Sequence, residues 1–478
     1  MVLFAAGVPL LVAGILALGA CTSDTPGADS GDGGAAGWDG GSVEEGVVQV
    51  RDVTGRTDDE FGSFVILGWE QRGEGQVWVR YSFDAGDWRE SPHQALGEGM
   101  HEVLLLGIPY ESTVSWQLIY DKDGAEVVLE EGSTATDPLP EGLPVPSLLV
   151  ADETAWEPTG TYLLGSINED PGGWTGGTYW KWVLDRQGRV VWAHKTPENH
   201  WSIFLRISAD GTHIVWDEAT YWAEWDGGAG SSVHRWYLDG TEIEEIPTPG
   251  LHHAFTELPD GTLVWGSAAG GYENLVEKAP DSDETHQIWS CESFHVETGA
   301  RGSCQSNTLY YHVPTDTFLF SFYTTSTVVE IDHQTGDSLW WAGGVAKGFA
   351  FTDPETQYSW QHGVNWTDEG TLLLSTEDTY GGMASETYAR EYIVDRDART
   401  LQQVWVYGVD QGVYASTAGE AHRLPNGNTL HNYGSASQIK EVQPDGTLVW
   451  HLDWGGTQLL GRTVFIEDLW SLMPPDAR

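Results

Sequence analysis

From Val47 onward apolar and polar residues alternate over short runs, with a period near two rather than 3.6. Successive side chains on a strand point to opposite faces, so such runs predict half-buried strands. Four of them come first: FVILGW at 64–69, QVWVRYSF at 76–83, HEVLLLGI at 101–108 and TVSWQLIYD at 113–121. Gly, Asp and Glu turns separate them, which predicts a small β-sandwich over residues 46–137. The Pro-rich stretch PLPEGLPVP follows, and residues 138–150 read as a linker.

Beyond it a unit repeats: a strand, an Asp-Gly or Asn-Gly turn, and a second strand often ending in Trp. Copies are ISADGTHIVW (207–216), LPDGTLVW (258–265), TDEGTLLL (367–374), LPNGNTL (424–430) and QPDGTLVW (443–450), with a degenerate VPTDTFLF at 313–320. Such dipeptides between apolar runs are strong hairpin signals. Pairs of hairpins recur roughly every 45–60 residues, the spacing of propeller blades. Residues 151–478 therefore predict a six-bladed β-propeller, with blades starting near Tyr162, His200, His252, Gln305, Gln361 and Ala421. The tail GRTVFIEDLW (461–470) is expected to return to the first blade and close the ring. The chain reads as all-β. Within the sandwich, VLLLGIPYESTVSWQLIYD resembles a loop and strand of a fibronectin type III domain.

Composition narrows the partners. The chain has 478 residues, with Asp plus Glu 72 against Lys plus Arg 22, a net charge of −50. That charge repels phosphate backbones and argues against a nucleic-acid partner. The first residues, MVLFAAGVPLLVAGILALGAC, are apolar and end in Leu18-Gly19-Ala20-Cys21, which resembles a bacterial lipobox. Residues 1–21 are then a lipoprotein signal, Cys21 the lipidation site and 22–45 a flexible acidic Gly/Ser tether. A lipid-anchored protein of the cell envelope is expected. Thr22 beside Cys21 points to the outer membrane, on its periplasmic or surface face. Cys291 and Cys304 remain, expected as a disulfide in an oxidising compartment, with two free thiols as the alternative. Without a second pair they make a poor zinc site. No phosphate loop or EF-type loop is present, and neither a metal nor a cofactor is implied.

The inner strands of propeller blades line a channel. His253 lies eight residues before Gly261 and His362 eight residues before Gly370, so matched register brings both toward that channel. Four stretches carry a further resemblance: HHAFTELPDGTLVWGS (252–267), STVVEIDHQTGDSLWWAGG (326–344), YSWQHGVNWTDEGTLLLSTED (358–378) and GEAHRLPNGNTLHNYGSASQIKEVQPDGTLVWHLDW (419–454). They resemble the bacterial arylsulfotransferase family. The resemblance implies transfer of a sulfuryl group from an aryl sulfate to a phenol through a sulfo-histidine. It implies His362, in Trp360-Gln361-His362, as nucleophile, and His252-His253 as the other channel histidine motif. Neighbouring strand residues face opposite ways, so one of that pair reaches the channel, and the shared register favours His253.

Two positions depart from the family pattern. Its His-x-Asn motif matches Gln305-Ser306-Asn307, so Gln305 replaces a histidine. Its sulfate-binding arginine matches Tyr323. Gln305, Asn307 and Tyr323 still offer hydrogen bonds to a substrate, without positive charge. Arg390, Arg423 and His422 are candidates to compensate. Trp366 is a candidate for stacking on an aromatic substrate, against its commoner role in blade packing. Two other functions compete: a catalytically inactive, surface-anchored propeller that binds a ligand or protein partner, and a metal-dependent hydrolase, which has too few spaced ligands.

Overall fold

A computed structural model of the chain describes residues 46–171, 177–220, 230–269, 272–301, 304–378 and 385–477. The N-terminal signal, the tether and Cys21 lie outside the described residues, and so do the side chains of His252 and His253. Among the described residues no helix is long and apolar enough to cross a membrane.

Two antiparallel sheets come first. One holds Gln49–Thr57, Val65–Arg72 and Gly99–Leu105. The other holds Gly75–Phe83 with Thr113–Lys122, Ala125–Ala135 and the short Arg89–Glu90 and Gln94–Leu96. Alternate residues face a shared core, with Val65, Leu67 and Trp69 meeting Val77, Val79 and Trp116. This sandwich sits directly on the strands that follow. Phe61 stacks on Trp192 at 5.7 Å, Ser63 Oγ donates to the Val191 carbonyl at 2.8 Å, and Arg89 Nη1 donates to the Tyr162 hydroxyl at 2.7 Å.

Six four- or five-stranded sheets then follow in chain order among the described residues, antiparallel except where the short edge strand Ala350–Phe351 pairs parallel with Thr400–Tyr407 in the fifth. Their first strands are Val464–Ile466, the pair His200–Trp201 and Leu205–Ile207, then Leu251–Glu257, Ser306–His312, Ser359–Trp366 and Glu420–Arg423. The Asp-Gly turns close the hairpins as their chemistry requires. Asp260 Oδ1 accepts from Thr262 N at 3.0 Å, and Gly261 takes φ +83°. That left-handed backbone suits glycine, which has no Cβ to clash. In the fourth sheet's degenerate copy Asp316 holds the same left-handed conformation at φ 52°. Fully buried Trp182, Trp192, Trp216, Trp265, Trp340 and Trp450 fill the space within and between the sheets.

Both chain ends tie the array together. The C-terminal strand Val464–Ile466 pairs with Tyr162–Leu164 as the innermost strand of the first sheet. Ser147–Ala151, whose first four residues were expected to be linker, instead pairs with Leu448–Asp453 as the outermost strand of the last sheet. Side chains cross between the first strands of distant sheets. Arg462, leading into the first sheet's inner strand, donates to the Asn307 carbonyl of the fourth at 3.0 Å. Arg206 of the second donates to the Leu309 carbonyl, also of the fourth, at 3.0 Å. First strands thus gather round one axis, in a propeller-like all-β fold.

Candidate functional site

In an antiparallel meander the start of the first strand, the turn between the second and third, and the link to the next sheet share one end. His362, Gln305, Tyr323, Glu377 and Tyr414 all come from such places. The strand Ser359–Trp366 is irregular there. Its register with the second strand breaks on both sides of His362, which pairs with Ser375. Trp360 at φ 46° and Gly363 at φ 61° bracket the histidine. A bulge of this kind re-aims one side chain out of the regular alternation. Gly363 is required there. A Cβ would fall 2.3 Å from that of Glu420 and 2.6 Å from Arg462 Nη1.

The bulge is held from behind. Gln361 Nε2 donates to Ser321 Oγ at 2.9 Å and to the Phe322 carbonyl at 3.2 Å. Asn307 Nδ2 donates to the Gln361 carbonyl at 2.6 Å, and Gly363 N donates to Thr308 Oγ1 at 2.8 Å. His362 is 7% exposed, and its Nδ1 lies 2.9 Å from the Trp360 carbonyl oxygen. A carbonyl only accepts, so the neutral ring carries its proton on Nδ1 and keeps a lone pair on Nε2. Burial, helped by the charge of Arg462, pulls this imidazole down to about 3. It is therefore neutral across the physiological range.

Around it stand Tyr323, which the sequence singled out, and groups that it did not: Glu377, Tyr414 and Arg462. The Tyr323 ring centre lies 5.6 Å from that of His362, and its phenol is pushed up by burial and then by Glu377, so it stays an O–H donor. Glu377 is buried at the end of Leu372–Glu377, takes a bond from the Tyr414 hydroxyl at 3.3 Å, and is raised by burial to about 7. Nothing in STED, residues 375–378, marks such a carboxyl before the fold buries it. Arg462 is the buried cation acting on His362. Its Nη1 donates to the Gly419 carbonyl and Glu420, and its Nη2 to the Asn307 carbonyl and Thr308. These bonds leave Arg462 mainly a source of positive field.

The structure gathers some of the expected residues and separates others. Tyr323 meets His362. The main-chain carbonyl of Gln305 accepts from Tyr323 N at 3.0 Å, so that segment adjoins the site. Asn307 is buried, and its amide N–H holds the Gln361 main chain. Trp366 is not brought to His362. Its ring packs against Trp340 and His312, both at 6.1 Å, in the core between the fourth and fifth sheets. Arg423 pairs with Glu391, Arg390 lies over the Tyr388 ring, and His422 bonds Glu420 at 2.8 Å, so none of these supplies the missing charge beside His362. The sulfurs of Cys291 and Cys304 are bonded, tying the start of the helix Cys291–Thr298 to the residue before Gln305.

Residues 285–455 match the arylsulfotransferase (ASST) family model. The arylsulfotransferase-like span takes in Gln305, Tyr323, His362 and Glu377 and ends before Arg462; His252 and His253 precede it. No curated protein matches the sequence. Among solved structures, TolB from Acinetobacter baumannii is similar with a TM-score of 0.43 and 11% identity, over 75% of this chain and 80% of that one. The β-propeller domain of Myceliophteria thermophila Cps50 (Swd1) is similar with a TM-score of 0.36 and 13% identity, over 65% and 86%.

Proposed function

We propose that this chain is an aryl-sulfate sulfotransferase, its six sheets being the blades of one propeller and His362 its sulfuryl carrier. The observation that carries this reading is the state of His362: neutral, with Nδ1 committed to the Trp360 carbonyl and Nε2 left as the nucleophile. Nε2 attacks the sulfur of an aryl sulfate, the S–O bond to the ring breaks, and the aryl oxide leaves as a phenol. A second phenol then loses its proton and attacks the same sulfur, and the S–N bond breaks. Each half needs a proton moved at near-neutral pH. Glu377, raised to about 7, has the affinity for that work, giving a proton in the first half and taking one in the second. The Tyr323 hydroxyl and the field of Arg462 stabilise charge on the sulfuryl oxygens. His253, from the first strand of the third sheet, is assigned the second channel histidine. Residues 1–45 are read as a lipoprotein signal with Cys21 as anchor, and the fibronectin type III-like sandwich as the spacer from an envelope membrane.

Purified protein incubated with a chromogenic aryl sulfate, with and without an acceptor phenol, tests the reading. Release that depends on the phenol is expected. Release without it makes the protein a hydrolase. No release in either case leaves the second reading, a ligand-binding propeller, which the committed hydrogen bonds of Arg462 favour.

A further inference from the structure

A cavity of 540 Å³ runs along the first strands from Gly363, Thr308 and Arg462, beside the His362 bulge, toward the Asn-Gly turn after Leu424. Its walls are largely apolar: Leu205, Ile207, Val364, Leu430, Val464 and Phe465. The size and lining suit a single-ring ligand fixed by a few polar groups. The Arg206 guanidinium lines this cavity. Its Nη2 donates to the Leu309 carbonyl at 3.0 Å, and its Nε is buried with no hydrogen-bond partner. Among the described residues no carboxylate lies within ion-pair distance of Arg206, which is unusual for a guanidinium in such surroundings.

The acid whose charge acts on Arg206 is already committed. Glu420 receives bonds from Arg462, His422 and Thr463. Arg462 stands close enough to Arg206 to draw its guanidinium downward, after burial, yet it stays a cation at neutral pH. Tyr310 also lines the cavity, and burial keeps its phenol protonated as a donor. We infer that this cavity binds a small organic anion, a carboxylate or sulfate group on an apolar body, with Arg206 as its counter-ion and Tyr310 as a hydrogen-bond donor. The apolar body is part of the inference. Glu157 and Glu467 line the same cavity, and the chain as a whole carries −50. A bare oxyanion would enter against that charge with only Arg206 in return, whereas a ring also buries against the walls.

The cavity shares Arg462 and Gly363 with the surroundings of His362, but its test does not depend on sulfuryl transfer, because binding is measured without turnover. Isothermal titration of the full chain with sodium benzoate and with sodium sulfate tests it. Benzoate is expected to bind one to one, and sulfate at least about tenfold more weakly. Arg206→Gln should weaken benzoate by about tenfold or more, Arg206→Lys should weaken it less, and Leu424→Trp, at a residue that also lines the cavity, should fill it and remove binding. His362→Asn should bind benzoate as the wild type does. Circular dichroism establishes that each variant is folded, and Leu424→Trp decides the matter where Arg206→Gln is not. The inference is overturned if millimolar benzoate gives no binding, or if Arg206→Gln and Leu424→Trp both bind like the wild type. Loss in His362→Asn would move the ligand to His362 itself, and equal binding of sulfate would remove the apolar body.

Discussion

Nδ1 of His362 sits 2.9 Å from the carbonyl oxygen of Trp360, two residues back on the same strand. That contact exists because Trp360 takes φ 46° and Gly363 φ 61°, folding the strand back on its own histidine. It sets the tautomer, and burial sets the charge. A carrier cannot be replaced by a side chain that only hydrogen-bonds. His362→Asn should lower transfer by roughly 10³-fold or more, and the wild type should show ping-pong kinetics with donor and acceptor. Wild-type turnover in His362→Asn would end the carrier reading.

Glu377 supplies the pH dependence. With a folded value of about 7, transfer should peak near neutrality, and Glu377→Gln should flatten the profile and cost roughly 10²–10⁴-fold. The same group predicts a stability trend. Its value is raised from 4.5, so its contribution to stability is whole below pH 4.5 and is lost as pH rises through 7. The melting temperature of the wild type relative to Glu377→Gln should therefore fall between those two pH values. A constant difference would mean that the carboxyl is not held protonated.

Tyr323 occupies the place where the resemblance implies an arginine, with its ring 5.6 Å from that of His362. Nearby Arg462 has its bonds to Glu420, Thr308 and two carbonyls. Tyr323→Arg should therefore lower KM for an aryl sulfate, with less effect on KM for the acceptor. A raised donor KM would mean that the phenol ring, not charge, is what the donor uses.

The Cys291–Cys304 bond closes a segment of sequence separation 13 between the third and fourth sheets, just before Gln305. Replacing both cysteines with serine should cost roughly 2–4 kcal/mol in denaturant unfolding. Mass spectrometry of an alkylated, unreduced digest shows whether the bond is formed. Two alkylated thiols would remove it.

Cys21→Ser should release the protein from membranes, because the thiol is the proposed attachment point for acyl chains. Protein that still sediments with membranes after a high-salt wash would overturn the lipoprotein reading.

Much of the fold was legible because its rules are local. Alternation assigns a face to each strand residue. Asp-Gly forces the hairpin, since Asp260 caps Thr262 N while Gly261 takes the left-handed backbone. The return of 461–470 to the first sheet was readable as one unpaired strand at the end of a repeating array. His362 was legible as a motif at a repeat register. Its tautomer and charge were not, because they depend on a bulge and on burial that no spacing shows. Trp366 illustrates the limit: a few residues from His362 on the same strand, it points into the core between two sheets instead. Only the tertiary structure could make Glu377 a carboxyl near 7, or bring Arg462 from the end of the chain to Asn307 and Thr308. Desolvation and through-space charge depend on which distant segments pack together, and short-range pattern carries no record of that.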